Sequence, residues 1–244
     1  WFTGVGGVPV KPGGNATAAA TALANVSRVG RARANLQAGN GPAAITDAGS
    51  VPAGFSYSFN FVDDAGNRTR MSNRMWQFTF DRGSISVAPA FRVTDTRIAY
   101  GAPGTHTLSA QDATAGPFWI QRKYPAYTST LRVASKLEAD YIAAEANGTA
   151  AQQTQIALRR AANGQPVYAG PVDAASILIE FMRQKNLDFW LEGQRFGDWR
   201  RNPTAVLDVP VPGSVYFKPG FSAVGNQTCY VLPLAETDNN PNFP

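Results

Sequence analysis

The stretch LDFWLEGQRFGDWRR, residues 187–201, decides the fold that the sequence predicts. It continues the longest apolar helical pattern of the chain, which Asp173 can cap. If the helix runs on, Glu192, Arg195 and Trp199 lie three to four residues apart along one side. Glu192 can then pair with Arg195 while the neighbouring aromatic rings pack, so the stretch predicts a helix fastened to its surroundings.

Small and charged residues in the same stretch predict a structural clamp. Gly193 and Gly197, four residues apart, would let another segment approach closely, and either could interrupt the helix. Asp198 can accept hydrogen bonds from Arg200, from Arg201 or from backbone donors in the following turn. These residues would hold segments together without reacting, and we predict no catalytic residue and no cofactor.

Two further helical patterns lie upstream. The first covers 131–146 and ends at an Asn-Gly pair, and the second covers 150–162 and ends at another. The second pattern would turn Ile156 and Leu158 inward. With the helix that follows, these segments form helical hairpins over residues 128–202.

Two carboxylates of the first pattern, Glu138 and Glu145, are seven residues apart on one helix face. Helix rise places them about 10.5 Å apart along the axis, a little beyond the separation that inverting glycosidases use. We therefore expect them to pair with Arg132 and Lys136, or with the neighbouring helix, and not to act as general acid and base.

Residues 15–52 predict another helical hairpin. Asn15 or Thr17 can cap a helix over 18–36, and Pro42 can begin a short helix over 43–48. Three such helix-turn-helix units separated by irregular insertions favour a mainly α fold. The units suggest an α-solenoid in which each pair covers the apolar face of its neighbour.

Residues 53–127 follow a different pattern. Aromatic residues alternate with Ser and Asn over 55–61, and a similar alternation over 76–80 predicts a second strand. The two strands would pair as a small β-hairpin with one aromatic face, followed by long loops. That face is either buried against helices or forms a platform on which a sugar or base stacks.

Flat side chains in this region are the candidates for ligand binding. A ring can stack on a sugar if it is exposed, and the residues chosen on that ground are Trp76, Trp119, Tyr57 and Tyr100. The proline-rich residues 203–244 predict an extended strap over the helices.

Composition excludes several classes of protein. Charged residues make up 16% of the chain against the roughly 25% of an average soluble domain, and 11% are aromatic, so intrinsic disorder is not expected. The net charge of +5 is spread without a basic run, which argues against nucleic-acid binding. No apolar stretch is long enough to span a membrane.

The chain has a single histidine, His106, and a single cysteine, Cys229. One of each cannot build a His/Cys metal cage, so we predict no metal site. Ser-His-Asp catalysis would need His106, and the Gly-x-Ser-x-Gly elbow is missing. Five Asn-x-Ser/Thr sequons would mark glycans only in a secreted eukaryotic protein.

Several segments, taken in order, resemble the SusD/RagB family of outer-membrane nutrient-binding lipoproteins. LDFWLEGQRFGDWRR is similar to the family signature E-x-x-x-E-G-x-R-x-x-D-L-R-R, with Asp188 for Glu and Trp199 for Leu. LRVASKLEADYIAAEA resembles its R-L-A-E-x-x-L-x-x-A-E-A helix, and YVLPLAETDNNPNFP resembles its PIPxxExxxNPxL ending. VSRVGRARANLQAGN with Val51-Pro52 resembles its earlier hairpin, and Asp95-Thr96-Arg97 stands where Asp-Pro-Arg is common.

The resemblance covers residues ~25 to 244, and it implies the later half or more of a family member. It implies that residues 1–244 form a single portion of a SusD-like domain, which is a tetratricopeptide-like α-solenoid. The N-terminal helices and the lipid-bearing cysteine of the family would be missing from this portion. It also implies a protein at the bacterial cell surface, attached to the outer membrane only through a lipid anchor outside this sequence.

The function that the resemblance implies is capture without catalysis. The ligand would be an extracellular oligosaccharide, or in some cases a peptide, and it would pass to a TonB-dependent transporter barrel. Family ligand residues lie on variable loops, so none is transferred to a numbered position here. One alternative is a subunit of a surface layer or filament, and a homo-oligomer is possible as well; sedimentation would reveal such assemblies. The other alternative is a glycan-cleaving enzyme, which would release products from a polysaccharide.

Overall fold

A computed structural model describes residues 14–101, 118–216 and 220–226. Within these ranges the protein is mainly helical, as predicted, with one small antiparallel sheet. The elements are α1 (Ala16–Gln37), α2 (Gly41–Gly49), β1 (Ser56–Phe59), α3 (Arg68–Met71), α4 (Arg74–Phe80), β2 (Leu131–Ser135), α5 (Lys136–Asn147), α6 (Thr149–Ala162), α7 (Ala174–Asp188) and α8 (Arg195–Arg201).

The N-terminal helical hairpin is confirmed. The Asn15 side chain accepts a hydrogen bond from the Ala18 amide at 2.9 Å and so caps α1. Pro42 lies in the first turn of α2, where its missing N–H costs nothing. Arg31 of α1 and Asp47 of α2 form a bidentate ion pair, with Arg31 Nε 2.8 Å from Asp47 Oδ2.

The larger helices pack in sequence: α1 lies on α2, α2 on α5, α5 on α6 and α6 on α7. Small side chains allow close packing where α1, α2 and α5 meet, in an apolar cluster that contains Val29, Ala32, Ala44, Ala48 and Ile142. Between α5 and α7, the buried Tyr141 ring lies 5.3 Å from Phe181 and 5.7 Å from Phe189. Residues 50–135 are inserted between α2 and α5, which remain in contact.

The predicted β-hairpin is wrong. β1 pairs antiparallel with β2, not with 76–80, and the register irregularity between Tyr57 and Ser58 marks a bulge. Residues 76–80 belong to α4, because Asn73 caps that helix by accepting from the Trp76 amide at 3.1 Å. Trp76 and Phe80 then lie one helical turn apart. A separation of four residues fits two repeats of a strand as well as one turn of a helix, so the alternation did not distinguish the two.

The helix predicted over 131–146 is also partly wrong. Residues 131–135 form β2, and the helix begins only after Ser135, whose hydroxyl accepts from the Glu138 amide at 3.2 Å. One serine therefore ends the strand and caps α5. The apolar residues at 131 and 133 suit either element, so their spacing did not distinguish them.

Of the two residues expected to turn inward from α6, Ile156 is buried and Leu158 is 60% exposed. Residues two apart on a helix differ by about 200° around its axis, so they cannot share a face. The prediction for Leu158 is wrong for that reason.

The long apolar pattern breaks before Gly193. α7 ends at Asp188, and the backbone turns through Leu191 (φ 60°) and Gly193 (φ 78°) before α8 starts at Arg195. A left-handed φ suits glycine because it has no Cβ. Gly197 lies inside α8, so it does not interrupt the helix.

The described residues from 208 onward, 208–216 and 220–226, belong to a second compact unit. In its described part the chain folds back on itself, with the Gly213 amide 2.7 Å from the Val224 carbonyl and the Val224 amide 2.9 Å from that of Ser214. This part is a short turn-back and not the extended strap that was predicted. Residues 231–244, which carry the predicted family ending, lie outside the described residues.

Candidate functional site

Glu138 is the first carboxylate of the predicted motif, and it faces α1. Its side chain is 2% exposed and accepts a hydrogen bond from Arg33 Nε at 2.7 Å. Burial raises the pKa of Glu138, while the charge of Arg33 opposes that rise. Pairing with Arg132 and Lys136 is wrong, because Arg132 pairs with Glu192 and Lys136 with Asp140 at 2.7 Å. The alternative, a partner on a neighbouring helix, is confirmed by Arg33 of α1.

A four-residue ion-pair group joins α5, α7 and α8. Lys185 Nζ lies 2.7 Å from Asp198 Oδ1 and 3.3 Å from Glu145 Oε2, and its side chain is 3% exposed. Arg201 Nε lies 3.1 Å from Glu145 Oε1 and Arg201 also donates to Asp198. Burial alone would lower the pKa of Lys185, but Asp198 and Glu145 outweigh it and the pKa is raised. We call these residues, Glu145, Lys185, Asp198 and Arg201, the buried ion group.

Glu192 does not pair with Arg195, contrary to the prediction. Its carboxylate accepts two hydrogen bonds from Arg132, both at 2.9 Å, and one from Lys123 Nζ at 2.7 Å. The reason is the break after α7, which removes Glu192 from any helix shared with Arg195. The Arg195 guanidinium instead lies 4.9 Å from the centre of the Phe91 ring.

The remaining motif residues have local roles. A Cβ at Gly193 would meet no atom within 4 Å in the described structure, and one at Gly197 would meet only Arg201 Nη1 at 3.9 Å. The predicted close approach at these glycines is therefore wrong. Asp198 accepts from Arg201, as predicted, whereas Arg200 is exposed.

A cavity of about 540 Å³ lies beside the motif residues. Glu138 and Asp198 contribute to its lining, and Phe59 of β1, 54% exposed, contributes an aromatic ring. Asp198 Oδ2 makes no hydrogen bond in the part of the chain that the structure describes. Sequence reasoning missed Phe59 as a lining residue, although it belongs to the same alternating pattern as Tyr57.

Trp119 and Tyr100 are brought together, with ring centres 5.6 Å apart. Both pack against an apolar cluster that contains Phe91 and Trp190, and the Arg92 guanidinium lies 4.9 Å from the Trp119 ring. Protein groups thus already cover much of Trp119, which makes it a poor surface for a sugar.

Among the described residues, Trp76 and Tyr57 make no ring contact with that pair. Trp76 stacks on Phe80 along α4, with ring centres 4.8 Å apart and planes 12° from parallel, and Phe80 is 51% exposed. Tyr57 is half-buried on β1 opposite Ala134. The four candidates therefore do not form one site.

The buried ion group gives a prediction for pH dependence. Burial alone would raise the pKa of Glu145, but Lys185 and Arg201 outweigh it and hold that pKa below its ordinary value of 4.5. Ionised Glu145 therefore stabilises the fold above pH 4.5, and this contribution is lost as the pH falls through the lower folded-state pKa. We expect Glu145→Gln to lower the free energy of unfolding by roughly 1.5–3 kcal/mol at pH 7 and by less at pH 3.

Urea unfolding of the wild type and the variant from pH 7 to pH 3 measures this difference. Asp140→Asn is the matched control, because Asp140 is 43% exposed and, in the part of the chain that the structure describes, pairs with Lys136 alone. A difference for Glu145→Gln that stays constant with pH would contradict the assignment.

In residues 14–101, 118–216 and 220–226, no group of three His, Cys, Asp or Glu side chains could hold a metal ion. His106 and Cys229 lie outside those residues. Over the same ranges, none of the helices is both long and apolar enough to cross a lipid bilayer.

Comparison of the chain with protein-family models, with curated proteins and with solved structures found no match in any of the three.

Proposed function

We propose that the protein captures an extracellular oligosaccharide without cleaving it. On the family resemblance, a peptide is a second ligand class, the place is the bacterial outer-membrane surface, and a TonB-dependent transporter receives the ligand. The observation that carries the proposal is the stacked pair of rings formed by Trp76 and Phe80.

An α-solenoid scaffold is part of this proposal. Its support is the sequential packing of α1, α2, α5, α6 and α7, in which each larger helix lies against the next. Such stacking presents an extended surface on which loops can carry ligand residues. α4 is one of the elements inserted between α2 and α5, where such loops belong.

The Trp76–Phe80 pair suits a sugar because one of its two rings, that of Phe80, is exposed. The half-buried indole is held in place by the phenyl ring, and Phe80 is 51% exposed. A pyranose presents C–H groups that pack on an aromatic face, and a ring already fixed by its neighbour loses little entropy on binding. Of the four aromatic residues selected from the sequence, Trp76 is therefore the one that we retain.

Capture without cleavage is supported by the state of the motif carboxylates. Glu138, Glu145, Glu192 and Asp198 each lie in an ion pair with a lysine or arginine. A general acid needs a proton to give and a base needs access to substrate, and a buried carboxylate held by a cation offers neither. Their arrangement fits the clamp role expected from the sequence.

The test is affinity electrophoresis in gels that contain neutral polysaccharides: soluble starch, arabinoxylan or mannan. We expect at least one of them to retard the wild type. Trp76→Ala should weaken that binding by roughly 3- to 10-fold, since one ring stack contributes about 0.5–1.5 kcal/mol. Phe80→Ala should weaken it as well, and its exposed position leaves the fold intact.

Phe221→Ala is the matched control, because Phe221 is 59% exposed and lies in the other compact unit. It should bind like the wild type. Equal binding by all three variants, or no retardation in any gel, would overturn the proposed function.

A further inference from the structure

A second cavity, of about 470 Å³, shares the Arg132–Glu192 ion pair with the first cavity in its lining. Two carboxylates, Asp188 and Glu192, line it. Four cationic side chains line it too, and we call the cavity the cationic cleft after them: Arg97, Lys123, Arg132 and Arg159. Cations outnumber carboxylates even when Asp95, which pairs with Arg97, is included.

Both carboxylates of the cationic cleft already have partners. Asp188 accepts from Arg159 at 2.8 Å through each oxygen, and from the Tyr141 hydroxyl at 2.6 Å. Glu192 accepts from Lys123 and Arg132. The acceptors in the lining are thus occupied by protein donors.

Donors, in contrast, remain available. Arg132 and Arg159 each bond through Nε and Nη2, and among the described residues their Nη1 groups donate no hydrogen bond. The side chains of Arg132, Arg159 and Lys123 are 27%, 22% and 19% exposed, so they are reachable from solvent. A guanidinium with a spare N–H suits an oxyanion, to which it donates strong, charge-assisted hydrogen bonds.

Three hydroxyl groups complete the lining. Ser56, Ser58 and Thr130 make no side-chain hydrogen bonds within the ranges the structure describes, so each can donate to a ligand. Ser58 lies directly opposite Arg132 in the β1–β2 pairing. Residues opposite one another in such a pair have their Cβ atoms about 5 Å apart, which places a hydroxyl beside the guanidinium.

The pKa of Lys123 also favours an anion in the cationic cleft. Burial lowers the pKa of Lys123, and Glu192 only partly offsets that effect. An added negative charge nearby would favour the ammonium form.

We infer that the cationic cleft binds an oxyanion: a carboxylate, sulfate or phosphate group, either as the free ion or as a substituent of an acidic saccharide. The inference does not depend on the proposed function, because it stands on the donors and charges of the cleft alone.

Ser58→Asp tests it by placing a carboxylate among the donors. The new carboxylate faces Arg132 and should raise the melting temperature without added anion while it blocks the site. Ser27→Asp is the matched control, because Ser27 is exposed on α1 and contributes to neither cavity. Both variants carry the same change in charge, so general salt effects act on them alike.

Melting temperatures are measured with sulfate, phosphate, trigalacturonate and the neutral trisaccharide maltotriose, at constant ionic strength set with chloride. A site with a dissociation constant of about 1 mM raises the melting temperature by about 3 °C at 10 mM ligand. We expect this shift in the wild type and in Ser27→Asp and its loss in Ser58→Asp, whereas any shift with maltotriose should be equal in all three proteins.

A shift with sulfate or phosphate only identifies a free inorganic anion as the ligand, and a shift with trigalacturonate identifies an acidic saccharide. Shifts of equal size in Ser58→Asp and the wild type, or no shift with any anion, would overturn the inference.

Discussion

Replacing Lys185 with methionine is expected to lower the free energy of unfolding by about 3–5 kcal/mol. The ammonium group lies between Glu145 and Asp198, and all three side chains are at most 8% exposed. Methionine fills a similar volume but leaves two carboxylates with only Arg201 to balance them. Removal of one member of a buried group costs more than the pair contributes, because the remaining charges stay desolvated.

Urea unfolding followed by circular dichroism measures the change. Arg183→Met is the matched control: it removes a cation from the same helix, but its side chain is 65% exposed and lies 3.9 Å from Glu180. We expect this control to change stability by no more than about 0.5 kcal/mol. If both variants unfolded at the same urea concentration, the buried ion group would not hold the helices together.

Phe181→Ala should have an effect of similar size, about 3–5 kcal/mol. The Phe181 side chain is fully buried on α7, and its ring lies 5.3 Å from that of Tyr141 on α5. Alanine would remove the ring and leave a cavity between the two helices, which adds to the lost hydrophobic burial.

Leu158→Ala provides the comparison, since Leu158 is 60% exposed on α6 and should change stability by less than about 0.5 kcal/mol. Thermal unfolding of both variants checks the difference. A large loss for Leu158→Ala would mean that this face of α6 is covered, as the sequence had suggested.

Helix starts were predictable where a single residue determines them. Asn15 and Asp173 cap α1 and α7 as expected, because a side-chain oxygen that accepts an amide three residues on is a local interaction. The start of α5 was missed because it depends on β1, which holds residues 131–135 in a strand until Ser135. No window of sequence around residue 131 contains that strand.

The same limit applies to the motif. A role as a clamp was expected for its residues, but the partner of Glu138 is Arg33, 105 residues away. Lys123 and Arg132 reach Glu192 across 69 and 60 residues. Each of these pairings needs the helices to be in place first, so spacing along the chain suggested nearer and incorrect partners.

The cationic cleft was not predicted for a related reason. Its arginines and its serines come from separate parts of the chain, and β pairing alone brings Ser58 to Arg132. The aromatic candidates were selected by residue type, which cannot show that Trp76 stacks on the exposed Phe80 whereas Trp119 packs against a buried apolar cluster.

The ladder between β1 and β2 has a consequence for how such a protein can diversify. Because α2 packs directly on α5, residues 60–130 leave the helical array and return to it at one place. The entropy needed to close an excursion of this kind rises only with the logarithm of its length, by about 0.6 kcal/mol for each doubling. Insertions within these residues therefore cost little entropy, provided that they keep the ion pairs of Arg97 with Asp188 and of Lys123 with Glu192.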